Sequence, residues 1–377
     1  MKLIHIINGL GDGGAEAMLF KILLLSNKND VKVISLMNRG KYGERLESLG
    51  FEVICLNMKR GSLDLKSLNL LYHVLKKEKP DIVQTWMYHS NLLGGIISKI
   101  IGIKNIFWNI RSENINLKKI KFRNKIVFYC GAITSYFIPN NIITCSKSAI
   151  KFHEKKGYKK IFNYIPNGFD KKIFYKINNN LILQLRKKWS DKNKFVYGMV
   201  ARYHPQKNHF LLLEAINELK KNENYDNLFF VFAGENINYD NYELVNKINE
   251  YKINDKIKLL GSTEDMNLFY NSIDILILPS GYGEGFPNVI GESMLTGTPC
   301  IVSNSGDSEY IVSNHGWIIA KNSISELKNK IIESFYFYKK NNKNWIKLSN
   351  NCIRHIEKNY DIKNVAKTYN QLWRKKI

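Results

Sequence analysis

Short, continuous apolar runs alternate along the chain with longer stretches whose apolar positions recur every three or four residues. In the first half, strands are predicted at Leu3–Asn8, Val31–Leu36, Phe51–Leu56, Asp81–Thr85, Ile103–Asn109, Ile142–Cys145 and Asn163–Ile165. Helices are predicted between them at Ala17–Leu25, Lys41–Gly50, Leu68–Lys77 and Asn91–Ile101. The pattern restarts after the turn Ile165-Pro-Asn-Gly-Phe-Asp170, with strands at Phe195–Val200, Leu228–Gly234, Ile257–Leu260, Asp274–Pro279 and Pro299–Ser303. Helices at His209–Lys221, Tyr242–Tyr251, Met266–Ser272 and Val289–Leu295 fill the gaps, and a helical tail rich in Lys and Asn follows from about Ser323. Strands alternating with helices mean βαβ units and parallel sheets. The economical reading is α/β, with two doubly wound domains jointed near Asn167. Ligands in such sheets lie outside the carboxyl ends of the strands, so a two-domain version is expected to bind in the cleft between its halves.

Composition narrows the class. The 377 residues, 44% of them hydrophobic, suffice for two packed cores and exclude wholesale disorder. Five cysteines without a C-x-x-C pair argue against a disulfide framework and a zinc site. The apolar start Leu3–Ile7 is too short for a signal-peptide core, and no run approaches the ~20 apolar residues of a membrane span, so a cytoplasmic protein is expected. Lys plus Arg number 57 against 33 Asp plus Glu, a formal net charge of +24. That excess fits anionic partners such as nucleic acid, acidic lipid or phosphorylated small molecules, and equally the Lys, Asn and Ile bias of an AT-rich genome. Nucleic acid is prompted by charge alone, because the chain has no RNP-like, helix-turn-helix or zinc pattern.

Three strand-to-loop elements carry chemistry. Gly9-Leu-Gly-Asp-Gly-Gly-Ala-Glu16 follows a strand and precedes a helix. Its glycines allow backbone N–H groups to approach a phosphate or sugar, or merely form a tight turn. It is not a Walker loop, and no acidic ribose partner completes a dinucleotide fingerprint. In the second element, Arg202 and Lys207 sit five apart in a Pro-bearing loop, where a bidentate fork and a point charge can converge on one diphosphate or remain solvated. The third, Pro279–Glu292, places Glu284 in a glycine-rich loop and Glu292 near a helix start, with the N–H groups of Phe286 to Val289 between them. Carboxylates there suit sugar and ribose hydroxyls, and the N–H groups suit phosphate.

Glu284-Gly-Phe-Pro-Asn-Val-x-Gly-Glu292 resembles the E-x7-E motif of retaining glycosyltransferases of family 4, which have the two-Rossmann-domain GT-B fold. Gly13-Gly-Ala-Glu16, His89–Gly94, Pro166-Asn-Gly168, the Arg202/Lys207 loop, Ala233-Gly-Glu235 and Gly297–Ser303 fall in the family's order, so the resemblance spans nearly the whole chain. It implies two Rossmann-like domains facing across a cleft: an acceptor-side domain at 1–168, a nucleotide-sugar domain at 169–355, and a last helix at 356–377 packing back toward the first. By the same resemblance Glu292 holds the donor ribose, Glu284 the transferred sugar, and Arg202 and Lys207 the leaving diphosphate. Phe286, Asn288 and Val289 offer backbone N–H groups to the donor, and Gly13 and Gly14 form the first-domain loop that closes over the diphosphate and borders the acceptor. The implied donor is a UDP-sugar, with no resident cofactor. No D-x-D pair exists in the chain, so no bridging metal is expected and two cations take its place.

Many family members carry a His near the end of a first-domain strand, whereas this strand reads Phe107-Trp-Asn-Ile-Arg-Ser112. Asn109, Arg111 and His89 are the candidates for that position, His89 also being suited to capping the following helix. Between Glu113 and Glu154 there is no acidic residue, while Lys118, Lys119, Lys121, Arg123 and Lys125 lie among Ile120, Phe122, Ile126, Phe128 and Tyr129. The segment 114–137 reads as a basic helix with an apolar face that docks on anionic membrane, or as an ordinary half-buried helix. The whole is expected to be a glycosyltransferase at the cytoplasmic face of the inner membrane, extending a lipid-linked saccharide in O-antigen, capsule or related glycan synthesis. A sugar-nucleotide epimerase or hydrolase, and a non-catalytic sugar- or polyanion-binding protein, are the rival readings.

Overall fold

The structure is a computed structural model that describes residues 1–59, 64–111, 121–177, 180–189 and 194–375. It divides into two units, Met1–Gly168 together with the segment from Ile362, and Phe169–Asp361.

The first unit holds one parallel sheet of β1 (Leu3–Ile7), β2 (Val31–Ser35), β3 (Glu52–Cys55), β4 (Ile82–Trp86), β5 (Asn105–Ile110), β6 (Asn141–Thr144) and β7 (Phe162–Tyr164), in the order 3-2-1-4-5-6-7. Successive side chains point to opposite faces, so Ile4 and Ile6 join the core beneath the helices Leu65–Glu78 and Phe122–Thr134. Leu3 and Ile7 face the other way, toward the helix Gly14–Leu23. Burial on both faces is why the strands read as continuous apolar runs and not as alternating ones.

The helix Ile362–Arg374 completes this unit. Its buried Ile362, Val365, Tyr369 and Trp373 recur at the helical period and join the same core as Leu3 and Ile7. Polar strand residues meet it. Trp373 Nε1 donates to Gln84 Oε1 at 2.7 Å, and Asn109 Nδ2 donates to Tyr369 Oη at 3.0 Å. Buried His5 accepts from Trp86 Nε1 at 3.1 Å, and burial pushes its imidazole down to about 3, so it stays neutral. The sequence boundary of 356 falls inside the helix Asn342–Tyr360, whose Cys352, Ile356 and Tyr360 are buried in the second unit. The chain leaves that unit at Asp361, where the helix ends.

The second unit repeats the plan with β8 (Phe195–Val200), β9 (Leu228–Ala233), β10 (Ile257–Leu259), β11 (Ile275–Leu278), β12 (Cys300–Ser303) and β13 (Trp317–Ile319), all parallel, in the order 10-9-8-11-12-13. Strand β13 was not expected. It pairs only through Ile301↔Trp317, Val302↔Ile318 and Ser303↔Ile319, too short a run to stand out from its polar flanks. The helices Lys147–Lys155, Asn180–Trp189 and Ser308–Val312 were likewise not expected. The core of this unit gathers Tyr197, Phe230 and Phe232 from the sheet against Leu212, Ile216, Leu327 and Ile331 from its helices.

Candidate active site

In each sheet the strand order reverses direction at one place, between β1 and β4 in the first unit and between β8 and β11 in the second. Loops leaving the carboxyl ends of two such strands diverge to opposite faces and leave a crevice between them. All three chemistry-bearing elements of the sequence lie at these two places.

In the second unit the loop after β8 carries Arg202 and Lys207, and the loop after β11 carries Glu284. A backbone hydrogen bond from Gly281 N to Gln206 O, 2.9 Å, ties the two loops together. Lys207 Nζ then lies 2.6 Å from Glu284 Oε1, and Ser280 Oγ donates to the same oxygen at 2.6 Å. Glu284 is only 5% exposed. A carboxylate so far out of water is stable here because a cation and a hydroxyl both meet it. The loop is held from beneath by the segment after β12. Asp307 N donates to Gly285 O at 2.9 Å, and Ser303 Oγ donates to Ser280 O at 2.5 Å. Gly306 has φ +63°, and a Cβ there would collide with the carbonyl of Glu284, so the cradle requires glycine on two counts.

Arg202 is exposed, and no hydrogen bond or ion pair joins it to Glu284 among the described residues. It and Lys207 nevertheless flank one group. The His204 imidazole is held below its ordinary value by burial first, then by Arg202 and Lys207. The loop carrying them is seated by Gly234, at φ +145°, where any Cβ would strike the carbonyl of Ala201.

Glu292 lies in the helix Asn288–Leu295 and accepts from Tyr270 Oη at 2.9 Å. Tyr270 is fully buried, and burial together with the facing carboxylate pushes its phenol well above the ordinary value, so it remains a donor. Neither Tyr270 nor Ser280 was identified from the sequence. Asn288 and Val289 open the helix, whose first-turn N–H groups give that end partial positive charge. The ring of Phe286 packs on Phe169 and Tyr360, with centroids 6.2 and 5.5 Å away. Its side chain thus anchors the loop.

In the first unit a cavity of about 430 Å³ opens at the ends of β1 to β4, lined among others by Asn8, Gly9, Glu16, Lys59, Met87 and His89. Asn8 Oδ1 accepts from Ser90 N at 2.9 Å and Ser90 Oγ at 2.6 Å, fastening the glycine loop to the helix Tyr88–Ile101. Gly13 is the extended N-cap of the helix that Gly14 begins, and a Cβ at Gly13 would collide with the Glu16 carboxylate folded back against it. Burial raises the Glu16 carboxyl, offset in part by its own backbone N–H. His89 is half-buried, and its imidazole is lowered by burial and by Arg123. Just before it, Met87 has φ +72° and ψ 162°, a region essentially reserved for glycine. Such strain concentrates at functional sites.

Of the strand residues weighed in place of a His, Asn109 is fully buried and donates to Tyr369, holding the last helix. Arg111 lies over the Trp86 ring at 5.6 Å, donates to Asn167 Oδ1, and keeps Nη1 buried with no partner among the described residues. The structure therefore divides the candidates. Glu284, Lys207 and Ser280 form one cluster, Glu292 with Tyr270 a second on the same unit, and His89 with Glu16 line the cavity of the other unit.

Residues 183–351 match the family of glycosyl transferases group 1. Over 316 residues the chain is 28% identical to the UDP-Gal:alpha-D-GlcNAc-diphosphoundecaprenol alpha-1,3-galactosyltransferase of Escherichia coli, an alignment covering 79% of each chain. It is also 28% identical, over 318 residues and 82% of each chain, to the capsular polysaccharide biosynthesis glycosyltransferase CapH of Staphylococcus aureus. Among solved structures, HepE of Anabaena in complex with UDP superposes with a TM-score of 0.85 at 19% identity, covering 99% of each chain. At that identity the likeness shows the fold, two Rossmann-like domains of the GT-B type. Residues 183–351 thus match the glycosyl transferases group 1 model, within a chain whose fold is of the GT-B type.

Proposed function

We propose that the protein is a retaining glycosyltransferase of family 4 that moves a hexose or N-acetylhexosamine from a UDP-sugar to a lipid-linked saccharide. It works without metal or resident cofactor, at the cytoplasmic face of the inner membrane, in O-antigen, capsule or related glycan synthesis. The observation that carries the reading is the Lys207–Glu284–Ser280 cluster at the β8/β11 switch point, on the unit that also presents Glu292. Similarity to polysaccharide glycosyltransferases, one of them acting on a diphosphoundecaprenol-linked GlcNAc, supports the acceptor class.

On this reading Glu292, oriented by Tyr270, accepts hydrogen bonds from the ribose hydroxyls. Glu284 accepts from a hydroxyl of the transferred sugar. Lys207 and Arg202, aided by the N–H groups of Phe286, Asn288 and Val289, stabilise the charge that grows on the diphosphate as its bond to the anomeric carbon breaks. The acceptor hydroxyl attacks from the face the diphosphate leaves and passes its proton to the departing phosphate, so configuration is retained. The loop of Gly13 and Gly14, with His89 and Glu16, lies on the acceptor side.

A thermal-shift panel of nucleotide sugars, on wild type and Glu292→Ala, tests the donor assignment. A ligand at ~100 times its dissociation constant adds about 2.7 kcal/mol of stability. A shift with a UDP-sugar that disappears in Glu292→Ala is expected, followed by a product whose anomeric configuration matches the donor by NMR. An inverted product refutes retention. A folded protein that no nucleotide sugar stabilises refutes the transferase.

A further inference from the structure

The helix Phe122–Thr134 buries Phe128, Gly131 and Ala132 against the first unit, with Tyr158 Oη donating to Phe128 O at 3.1 Å. Its opposite face has no such covering among the described residues. Phe122 is 75% and Ile133 65% exposed, Ile126 and Tyr129 are nearly half exposed, and Phe137 just beyond the helix is 73% exposed. At 100° per residue, Phe122, Ile126, Tyr129 and Ile133 fall within an arc of about 60°, with Lys125 to one side and Arg123 to the other. The spacing of four, three and four residues makes one continuous apolar stripe edged by cations. A stripe of this kind on a protein surface marks a place where something binds.

Charge selects the occupant. No Asp or Glu occurs from 114 to 153, and the helix packed beside it, Tyr88–Ile101, carries none either and contributes Lys99. Position agrees with charge. Asn124, on the inner face of the same helix, lines the cavity that holds His89, and Arg123 acts electrostatically on that imidazole. A saccharide seated in the cavity therefore meets one side of the helix whose other side bears the apolar stripe. The part of the basic segment at 114–120, with Lys118 and Lys119, lies outside the described residues.

We propose that the helix Phe122–Thr134 lies in the plane of an anionic bilayer. Phe122, Ile126, Tyr129 and Ile133 enter the acyl boundary, and Arg123 and Lys125 meet lipid phosphates at its edges. The proposal rests on the lipid-linked acceptor described above and identifies the surface on which that acceptor is met.

Flotation of the full chain with vesicles of phosphatidylcholine alone, and of phosphatidylcholine with phosphatidylglycerol two to one, tests it. The substituted side chains lie at the surface, Phe122, Ile133 and Arg123 exposed and Lys125 half-buried, so Phe122→Ser with Ile133→Ser, and Arg123→Glu with Lys125→Glu, should keep the wild-type melting temperature. Wild type is expected on the anionic vesicles and to be released by high salt in part. The serine pair should lower partitioning at least tenfold. Charge reversal should lower it at least 25-fold, at roughly fivefold per cation removed (about 1 kcal/mol each). Turnover of a short, water-soluble acceptor should stay at the wild-type rate in the serine pair, while turnover of a vesicle-borne acceptor falls in both variants. Wild type left unbound by anionic vesicles overturns the proposal, as do variants that bind as well as wild type. So does a dimer in sedimentation velocity that the serine pair dissolves, since a second copy would then cover the stripe. Vesicle binding without turnover of either acceptor would sink the proposed reaction and leave the docking surface standing.

Discussion

Replacing Lys207 by Met tests the centre of the site. Its ammonium lies 2.6 Å from Glu284 Oε1, and the two side chains are only 19% and 7% exposed. Met preserves most of the length and volume and removes the charge. The carboxylate left behind keeps Ser280 Oγ as a donor to Oε1 and loses its cation. Removing one partner of a buried pair destabilises by about 3–5 kcal/mol, whereas replacing both with neutral groups of similar shape is often close to neutral. Lys207→Met should therefore lower stability by about 3 kcal/mol, and Glu284→Gln should also destabilise. The double variant should recover much of that loss, with a coupling energy above about 1.5 kcal/mol. For a unit near 200 residues, each kcal/mol shifts the melting temperature by roughly 2–4 °C, so the single variant should melt roughly 6–12 °C lower.

Activity should follow a different rule. The proposed role of Lys207 is to face charge that develops on the leaving diphosphate, and loss of one such group lowers kcat by about 10²–10³-fold. The double variant restores no cation, so it should stay inactive while its stability returns. Urea denaturation of the four proteins of the cycle, alongside UDP release with the donor found by thermal shift, measures both. Stabilities additive to within about 0.5 kcal/mol would mean that the ion pair is not formed. Turnover that recovers together with stability would mean that Lys207 supports the fold and not the reaction.

Three further outcomes follow from the structure. Tyr270→Phe removes the hydroxyl that orients Glu292, and UDP binding by calorimetry should weaken about tenfold, against loss of measurable binding in Glu292→Ala; equal binding in both variants and wild type would remove Glu292 from the donor site. Burial holds His5 near 3 and His153 and His209 near 4, below the ~6.5 of the unfolded chain, so the unfolded state takes up protons first and stability falls with acid below that value. Each contributes about 2 kcal/mol of loss by pH 5, about 6 together, and urea midpoints that stay flat from pH 7 to pH 5 would contradict the burial of all three. Trp373→Ala empties a fully buried ring site and orphans the carbonyl of Gln84, which should destabilise by about 3–5 kcal/mol and release Gln84 to exchange; a loss below about 1 kcal/mol would mean that the last helix is not packed as described.

The architecture was readable because these strands are buried on both faces, and a continuous apolar run between glycine- and helix-rich stretches has few other readings. The second-unit carboxylates were readable for a local reason as well: glycines crowd Glu284, and such backbone serves a close approach more often than a plain surface loop. What stayed hidden depends on contacts far apart in sequence. Tyr270 reaches Glu292 across 22 residues, and nothing in its own helix distinguishes it from a core tyrosine. Gly306 supports Glu284 from the loop after β12, visible only once that strand is seated beside β11. Met87 gives no sign in its residue type of a backbone angle that would suit glycine.

Lys207 shows where reading the chain stops and topology begins. A lysine five residues after an arginine, in a loop behind a buried strand, is legible as a cation for phosphate. That it rests against Glu284, 77 residues away, is not. The pairing follows from strand order: β11 docks directly against β8, so the loops after both leave the same edge of the sheet and Gly281 can bond Gln206. The same order in the first unit sets β4 beside β1 and fastens Asn8 to Ser90, which holds the glycine loop over the cavity lined by His89. In both units the chemistry sits where the winding reverses. On the proposed function, the ion pair waiting there links two steps: a donor diphosphate competes with Glu284 for the Lys207 ammonium, and a carboxylate released by that competition is open to a sugar hydroxyl as the donor arrives. Donor binding and exposure of Glu284 are then one event, and in Lys207→Met the two should come apart.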